Sequence, residues 1–330
     1  MSTQTTNTTG AADSSIRSQR ERTWRIGREV ALIALIIVIV VISSIFYPAF
    51  LTIPNFAAIL RNLAFDGIMA VGMMLLMIGG TFDLSVGGMF SLASVLTGWF
   101  MMRAGIPVPL AILLGLGVGA LGGFINGFVI ARIKVNALIT TLGTMGIFRG
   151  IAVLVGGPGI TNLPTEFSRL AQFEFPRLIT TPIYLFIFLV ILFHYFLSRT
   201  RFFRQLYYIG GNQKAATLSG INVQRMQIIG YIITGFLAAL AGIAFSSRVG
   251  TAVSISGDGA ELRVITAVIL GGASLNGGKG SIWGALIGVL FIAIINNLLI
   301  VAQIPSTWQG IVVGVVLVIA VAMDSFLNRD

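Results

Sequence analysis

Asp83 and Ser85 stand two residues apart inside GGTFDLSVGG (79–88), a carboxylate and a hydroxyl bracketed by glycine pairs and flanked by long apolar runs. A carboxylate at the centre of a bilayer costs about 2.5–3.5 kcal/mol on insertion scales, so it is usually paired, faces a cavity or lies near an interface. Two roles are open to Asp83. It caps the following helix, accepting from the amides of Ser85 or Val86. Or it contacts a solute or gate where two half-helices meet and freed backbone groups line a polar passage. The roles are compatible, since a capping acid at a helix break also shapes the cavity beside it.

The other polar residues of the apolar segments are uncharged: Asn126, Asn136, Thr140, Thr141, Thr144, Asn296, Asn297 and Gln303. Such amides and hydroxyls suit a hydroxylated solute, and equally serve as interhelical hydrogen bonds of about 0.6 kcal/mol each. An ion-coupled carrier would more often keep a chain of embedded carboxylates; here the embedded acids are Asp66 and Asp83. Asp258, Glu261 and Arg263 fall on the outer side at the start of the eighth apolar segment, where Glu261 suits a helix N-terminus. His194, the single histidine, reads as an interfacial residue, and with no cysteine the chain offers little for a transition-metal site. Hydrolytic motifs are missing as well. GGKGS (277–281) departs from a phosphate loop, with Gly280 after Lys279 and Ala273 where the upstream glycine belongs. Neither GxSxG nor HExxH occurs.

These residues are embedded in a chain that is 56% apolar and only 10% charged, against about 25% charged for a soluble domain. Lipid is the solvent it is built for. The net charge of +10 is clustered: Arg17, Arg20, Arg22, Arg25 and Arg28 precede the first apolar run, and Arg199, Arg201, Arg204, Lys214 and Arg225 share a later acid-free loop. Such placement follows the positive-inside rule rather than marking a nucleic-acid surface. Residues 1–28 form a basic tail whose Ser/Thr-rich start is expected to be disordered. The run 30–47 is too long for a signal-peptide core and lacks a cleavage site, so it is expected to remain as the first span.

Requiring about 20 mostly apolar residues per crossing predicts ten segments: 30–47, 64–80, 84–102, 107–131, 136–156, 181–198, 226–246, 262–275, 280–300 and 307–324. We expect an all-α polytopic membrane protein with broken or re-entrant segments, the eighth being too short for one straight crossing. With the basic N-terminus inside, six crossings bring loop 199–225 back inside and ten leave the tail 325–330 there, so both termini are expected in the cytoplasm. Residues 79–98 parallel 271–288, and 124–139 faintly echo 294–309 in the same order. This is either an internal duplication or the self-similarity of glycine-rich apolar sequence. Loop 199–225 carries a predicted short helix over 213–218, stopped at Gly220. Ala215 and Ala216 allow close approach there, and Leu218 and Ile221 offer apolar contact; the helix fits a partner's groove or a membrane interface.

GGTFDLSVGG, LITTLGTMGIFRGIAVL (138–154), YYIGGNQKAATLSGINVQR (207–225) and AVILGGASLNGGKGSIWGALIG (267–288), in this order, resemble the permease subunits of binding-protein-dependent ABC importers for monosaccharides, the ribose, xylose and autoinducer-2 group. The resemblance runs from about residue 50 to 324. It implies a permease domain over 29–324 in the bacterial inner membrane, with an identical or related second permease. Two cytoplasmic ATPase subunits and an external sugar-binding protein would complete the importer. ATP and magnesium would bind the ATPase, leaving this chain without a cofactor and not itself an enzyme. Gly210, Gly211, Asn212, Ala215, Ala216, Gly220 and Ile221 would form the loop that couples to the ATPase, although Gln213 and Lys214 stand where acids are frequent. Phe82 stands where isoleucine is common. On this basis Asp83, Ser85, Asn126, Asn136, Thr140, Thr141 and Asn296 are candidates for the pathway or its gate, and Asp258, Glu261 and Arg263 for the binding-protein side. A bulky residue at Gly211 or Ala216 is expected to stop uptake without preventing insertion. Permeases for branched-chain amino acids or nucleosides share the architecture. An ion-coupled carrier and a structural membrane protein are rival readings of a chain with this composition.

Overall fold

A computed structural model describes residues 29–175, 179–305 and 307–327. The tail expected over 1–28 and the end of the tail expected over 325–330 lie outside the described residues. The first helix, α1, is Glu29–Phe46. It is followed by α2 (Ile53–Ile78), α3 (Val86–Met102), α4 (Val108–Phe128), α5 (Ala137–Gly156), α6 (Thr165–Gln172), α7 (Thr181–Arg199), α8 (Arg201–Gly211), α9 (Gln213–Leu218), α10 (Val223–Val249), α11 (Ala260–Leu270), α12 (Ile282–Val301) and α13 (Thr307–Leu327).

Each of the predicted spans has a helix in its place. Of these, 8 are long and apolar enough to cross a membrane, while α3 has 17 residues and α11 only 11. Helix α2 starts at Ile53 rather than near 64, with Pro54 in its first turn. Proline is favoured there because it lacks an N–H that the helix could not use. Counting apolar residues trims this turn because Asn55, Arg61 and Asn62 lie in it.

The helices run between two faces. Gly278 N donates to Ile78 O (2.9 Å), joining the end of α2 to the segment before α12. Together with 129–136 and 199–225 these form a face carrying Arg132, Lys134, Arg199, Arg201, Arg204, Lys214 and Arg225, hereafter the basic face. At the opposite face Ile160 pairs with Ala252, and Asn55 and Asn297 exchange reciprocal amide hydrogen bonds of 2.9 and 2.8 Å. This corrects one expectation. The turn within 124–139 lies on the basic face and the turn within 294–309 on the opposite one, so a same-order duplication extends no further than 79–98 and 271–288.

Helix α2 is the central strut, with every residue from Gly67 to Gly79 buried, as expected for a helix apolar all round. Helix α10 packs against α2, α3 and α4 through glycines. A Cβ on Gly235 would lie 2.3 Å from Gly119 O, one on Gly123 2.2 Å from Tyr231 O, and one on Gly242 2.1 Å from Phe90 O. In lipid, where apolar surface gains nothing by avoiding the solvent, such close backbone approach is what holds helices together. The loop after α10 then turns inward. Ala252 sits against Gly98, yet Gly257 N already bonds Ser91 Oγ at 3.0 Å, roughly 10 Å further along α3. Helix α11 therefore starts well inside the bundle, and the eighth segment is re-entrant in its first part.

Gly235→Val should lower the unfolding free energy by about 3 kcal/mol or more through overpacking. Gly143→Val, where an added Cβ meets nothing within 4 Å, should stay within about 0.5 kcal/mol. Denaturant unfolding in detergent micelles measures both, and equal midpoints would contradict this packing.

Candidate functional site

Helix α2 ends with Gly80 N donating to Met77 O and Thr81 N to Leu76 O (both 3.0 Å). Helix α11 ends with the same pair of bonds, Gly272 N to Ile269 O (3.0 Å) and Ala273 N to Val268 O (3.1 Å). This termination places one residue in the left-handed region, which glycine adopts without steric cost; φ is +77° at Gly80 and +96° at Gly272. The two glycine pairs that look alike in sequence are thus the same helix stop used twice.

Each break is held by a buried carboxylate. Asp83, 1% exposed, accepts from Ser85 N at 2.7 Å and Ser85 Oγ at 2.6 Å. Asn126 of α4 donates to both Asp83 oxygens at 3.4 and 3.3 Å and to Ser85 Oγ at 2.8 Å. Its own Oδ1 is buried without a partner among the described residues. From α10, the Tyr231 hydroxyl donates to Phe82 O (2.9 Å) and lies 2.5 Å from Thr81 Oγ1. The second break takes its acid from elsewhere in the chain. Asp324 of α13, 2% exposed, accepts from Leu275 N at 3.3 Å and Ser274 Oγ at 3.4 Å. Ser281 Oγ accepts from Gly284 N (2.9 Å) to cap α12 and donates to Glu29 of α1 (3.0 Å).

The two breaks meet at α8. A Cβ on Gly277 would lie 2.6 Å from Gly80 Cα and 2.8 Å from Gly210 Cα, and one on Gly210 would lie 2.0 Å from Ile78 O and 2.2 Å from Gly278 N. The Tyr207 hydroxyl also donates to Gly280 O at 3.0 Å. Of the loop residues that the sequence marks, Gly210 is therefore wedged between both breaks. A Cβ at Gly211 would meet nothing within 4 Å. Asn212 caps α9 through Ala215 N (3.0 Å), and α9 ends at Leu218 with Gly220 at φ +81°. Ala216 is buried and Ala215 exposed. Ile221 N closes the helix end on Ala216 O (3.0 Å).

The remaining candidates are dispersed. Asn136 caps α5 through Leu138 N (2.8 Å). The hydroxyls of Thr140 and Thr141 donate back to Asn136 O and Ala137 O (3.0 and 2.8 Å). Asn296 Oδ1 is buried on α12 without a partner among the described residues. Glu261 lies against Gly87 in the first turn of α3, and Asp258, Glu261 and Arg263 are all tied into ion pairs. Arg149 of α5 reaches Glu261 at 3.0 and 3.1 Å and Asp258 at 3.2 Å. Arg263 forks onto Asp66 of α2 at 2.9 and 3.1 Å. Arg149, Tyr231 and Asp324 are the site residues that sequence reasoning misses. A lone arginine within the apolar segment 136–156 is a usable signal, whereas nothing local marks Tyr231 or Asp324 as partners of a distant loop.

Reused glycine stops, ion pairs inside the bundle and a basic loop wedged between broken helices fit a polytopic membrane protein with a joint near one face. Comparison with known proteins agrees. Residues 55–321 match the family described as branched-chain amino acid transport system / permease component, and the chain belongs to that permease family. The ribose import permease protein of Bacillus subtilis (strain 168) is 41% identical over 289 residues, covering 86% of this chain and 88% of that protein. The autoinducer 2 import system permease of Photorhabdus luminescens is 36% identical over 263 residues, covering 79% and 78%. That of Shigella flexneri is 36% identical over 264 residues, covering 79% and 76%. No solved structure matches. As a permease component, the chain belongs to the translocating part of a transport system and not to the part that hydrolyses ATP.

Asp83→Ala leaves the Ser85 hydroxyl and amide without their acceptor and the Asn126 amide with Ser85 Oγ alone. It should cost about 1–3 kcal/mol of stability, and Asp83→Asn, which keeps one acceptor oxygen, less. Thermal unfolding of the purified variants in detergent checks the order; an Asp83→Ala protein as stable as wild type would show that the network does not hold the break.

Proposed function

We propose that this chain is the transmembrane permease of an ATP-driven ABC importer for a monosaccharide or similar small polyol, working in the bacterial inner membrane by alternating access. The wedging of Gly210 between the two helix breaks carries this reading. Any displacement of α8 and α9 by a partner at the basic face must be transmitted by backbone contact to Gly80 and Gly277, and so to the breaks held by Asp83 and Asp324. By the positive-inside rule we take that face, and with it the termini, to be cytoplasmic, where an ATPase would dock. Helix α9 is built for docking, since Ala215 and Thr217 are exposed there and Leu218 is 89% exposed.

In this cycle ATP binding draws the ATPase subunits together and moves α9, and the passage switches from inward- to outward-facing. An external binding protein then delivers the sugar, and hydrolysis resets the gate. Asp83, Ser85 and Asn126 shape the break at the gate. Asn136, Thr140, Thr141 and Asn296 are proposed as neutral contacts along the path, and Asp258, Glu261 and Arg263 as contributors on the binding-protein side. A second permease copy completes the passage; the exposed face of α5 that carries Gly143, Gly146 and Gly150, at each of which an added Cβ meets nothing within 4 Å, is suited to close helix packing against it. Sugar as the substrate class rests on the ribose and autoinducer 2 permeases named above. The pairing of Asp66 with Arg263 and of Glu261 with Arg149 favours this over ion coupling, because it leaves those carboxylates neutralised by fixed arginines.

Reconstitution in liposomes with the cognate ATPase and binding protein tests the proposal. Sugar uptake should require all three components and ATP. Gly210→Val should reduce uptake to background with membrane insertion intact; Gly211→Val, expected from the sequence to stop uptake as well, should retain it, because an added Cβ there meets nothing within 4 Å. Uptake by this chain alone, driven by an ion gradient, would defeat the proposal.

A further inference from the structure

On the basic face a cavity of about 250 Å³ opens between the ends of α4 and α10, lined by Arg132, Asn222, Arg225, Ile228 and Ile229. We propose that it holds the phosphate headgroup of an anionic phospholipid from the adjoining leaflet. The two cations come from separate elements. Arg132 lies in a π-helical turn, Val129–Ile133, that continues α4, and Arg225 lies in the first turn of α10. Neither makes an ion pair with an acid among the described residues. Asn222 spends its Oδ1 on Arg225 N (3.0 Å), which leaves its amide N–H groups as donors for an anion.

The local backbone is shaped for the same end. π-Helical turns are rare and concentrate at functional positions. The residue that closes this one, Lys134, adopts φ +66°, a left-handed conformation in which glycine is the usual occupant. Lys134 thus adds a cation to the turn that carries Arg132, at a position where glycine would fit the backbone more easily.

A lipid is the occupant favoured by the surroundings. Ile228 and Ile229 give the cavity an apolar wall, and Gly127 of α4 packs against Ile228, where an added Cβ would lie 2.8 Å from its Cα. Phe128 and Ile133, beside the cavity in sequence, are 44% and 60% exposed. They offer acyl chains an apolar surface on the same helical segment as Arg132. A basic recess at a helix boundary with apolar flanks is the arrangement that recognises anionic headgroups.

Native mass spectrometry of the full chain, released from micelles doped with phosphatidylglycerol or phosphatidylcholine, tests the site. The wild type should retain one phosphatidylglycerol in preference to phosphatidylcholine, and excess inorganic phosphate should not displace it. Arg132→Gln with Arg225→Gln should weaken retention roughly 30-fold, from about 1 kcal/mol per cation. Arg103→Gln with Arg169→Gln, an equal charge loss on the opposite face, should leave it unchanged. Ile229→Trp, which fills the cavity with both arginines in place, should weaken it too. Equal retention of the two lipids, an unaffected Arg132/Arg225 double variant, or displacement by inorganic phosphate would overturn the assignment. So would a double variant that keeps its lipid and loses only a co-purifying ATPase, since the arginines would then serve that protein.

Discussion

Backbone groups in a membrane have no water to turn to, so every interruption of a helix must be satisfied from within the protein. The structure depends on how this chain meets that demand twice. Glycine stops at Gly80 and Gly272 turn the last carbonyls of α2 and α11 back onto their own chain. The open stretches that follow are held by carboxylates, Asp83 locally and Asp324 from α13. Gly278 N then closes on Ile78 O, so each interruption supplies part of what the other needs. Breaks bound to each other in this way cannot be rearranged independently.

The rest of the bundle divides into parts that fix this junction and parts free to act on it. Helix α10 belongs to the first kind: its glycines press backbone to backbone on α3 and α4, and Tyr231 holds Phe82 and Thr81. The ion pairs Asp66–Arg263 and Arg149–Glu261 likewise fasten the re-entrant start of α11 to α2 and α5. Helices α8 and α9 are of the second kind, with an exposed outer surface and a single glycine, Gly210, inserted where both breaks meet. Leu206, Ile209 and Ala216 are buried and seat this arm on the bundle, while its exposed side chains leave an outer surface that suits the coupling role proposed for it.

Much of this is legible in the sequence because composition and glycine placement act locally. The apolar segments, the short helix over 213–218 and its stop at Gly220 follow from residue types within a few positions. Asp83 and Ser85 announce a helix break, but Asp83 does not cap α3 as expected: it takes the amide of Ser85, which is itself the N-cap residue, in the turn before the helix. What cannot be read is any partnership across the chain. That Asp324 serves Leu275, that Tyr231 serves Phe82, and that Gly210 rather than Gly211 is the crowded glycine depend on packing between segments far apart in sequence. The echo of 124–139 in 294–309 misleads because glycine-rich and apolar runs resemble one another whichever way they cross the membrane. The start of α2 is missed because polar residues at a helix end look like loop when only hydropathy is counted.

The central claim is that movement at the basic face reaches the break beside Asp83 through Gly210. The chain has no cysteine, so a single cysteine at Phe82, which is partly buried beside that break, reports on it without background. In the proposed complex with its ATPase, the rate at which Phe82→Cys reacts with a membrane-impermeant thiol reagent should change when ATP is added, and Gly210→Val should abolish that change while the complex stays intact. A reaction rate indifferent to ATP, or one that still responds to ATP with Gly210→Val present, would contradict the account.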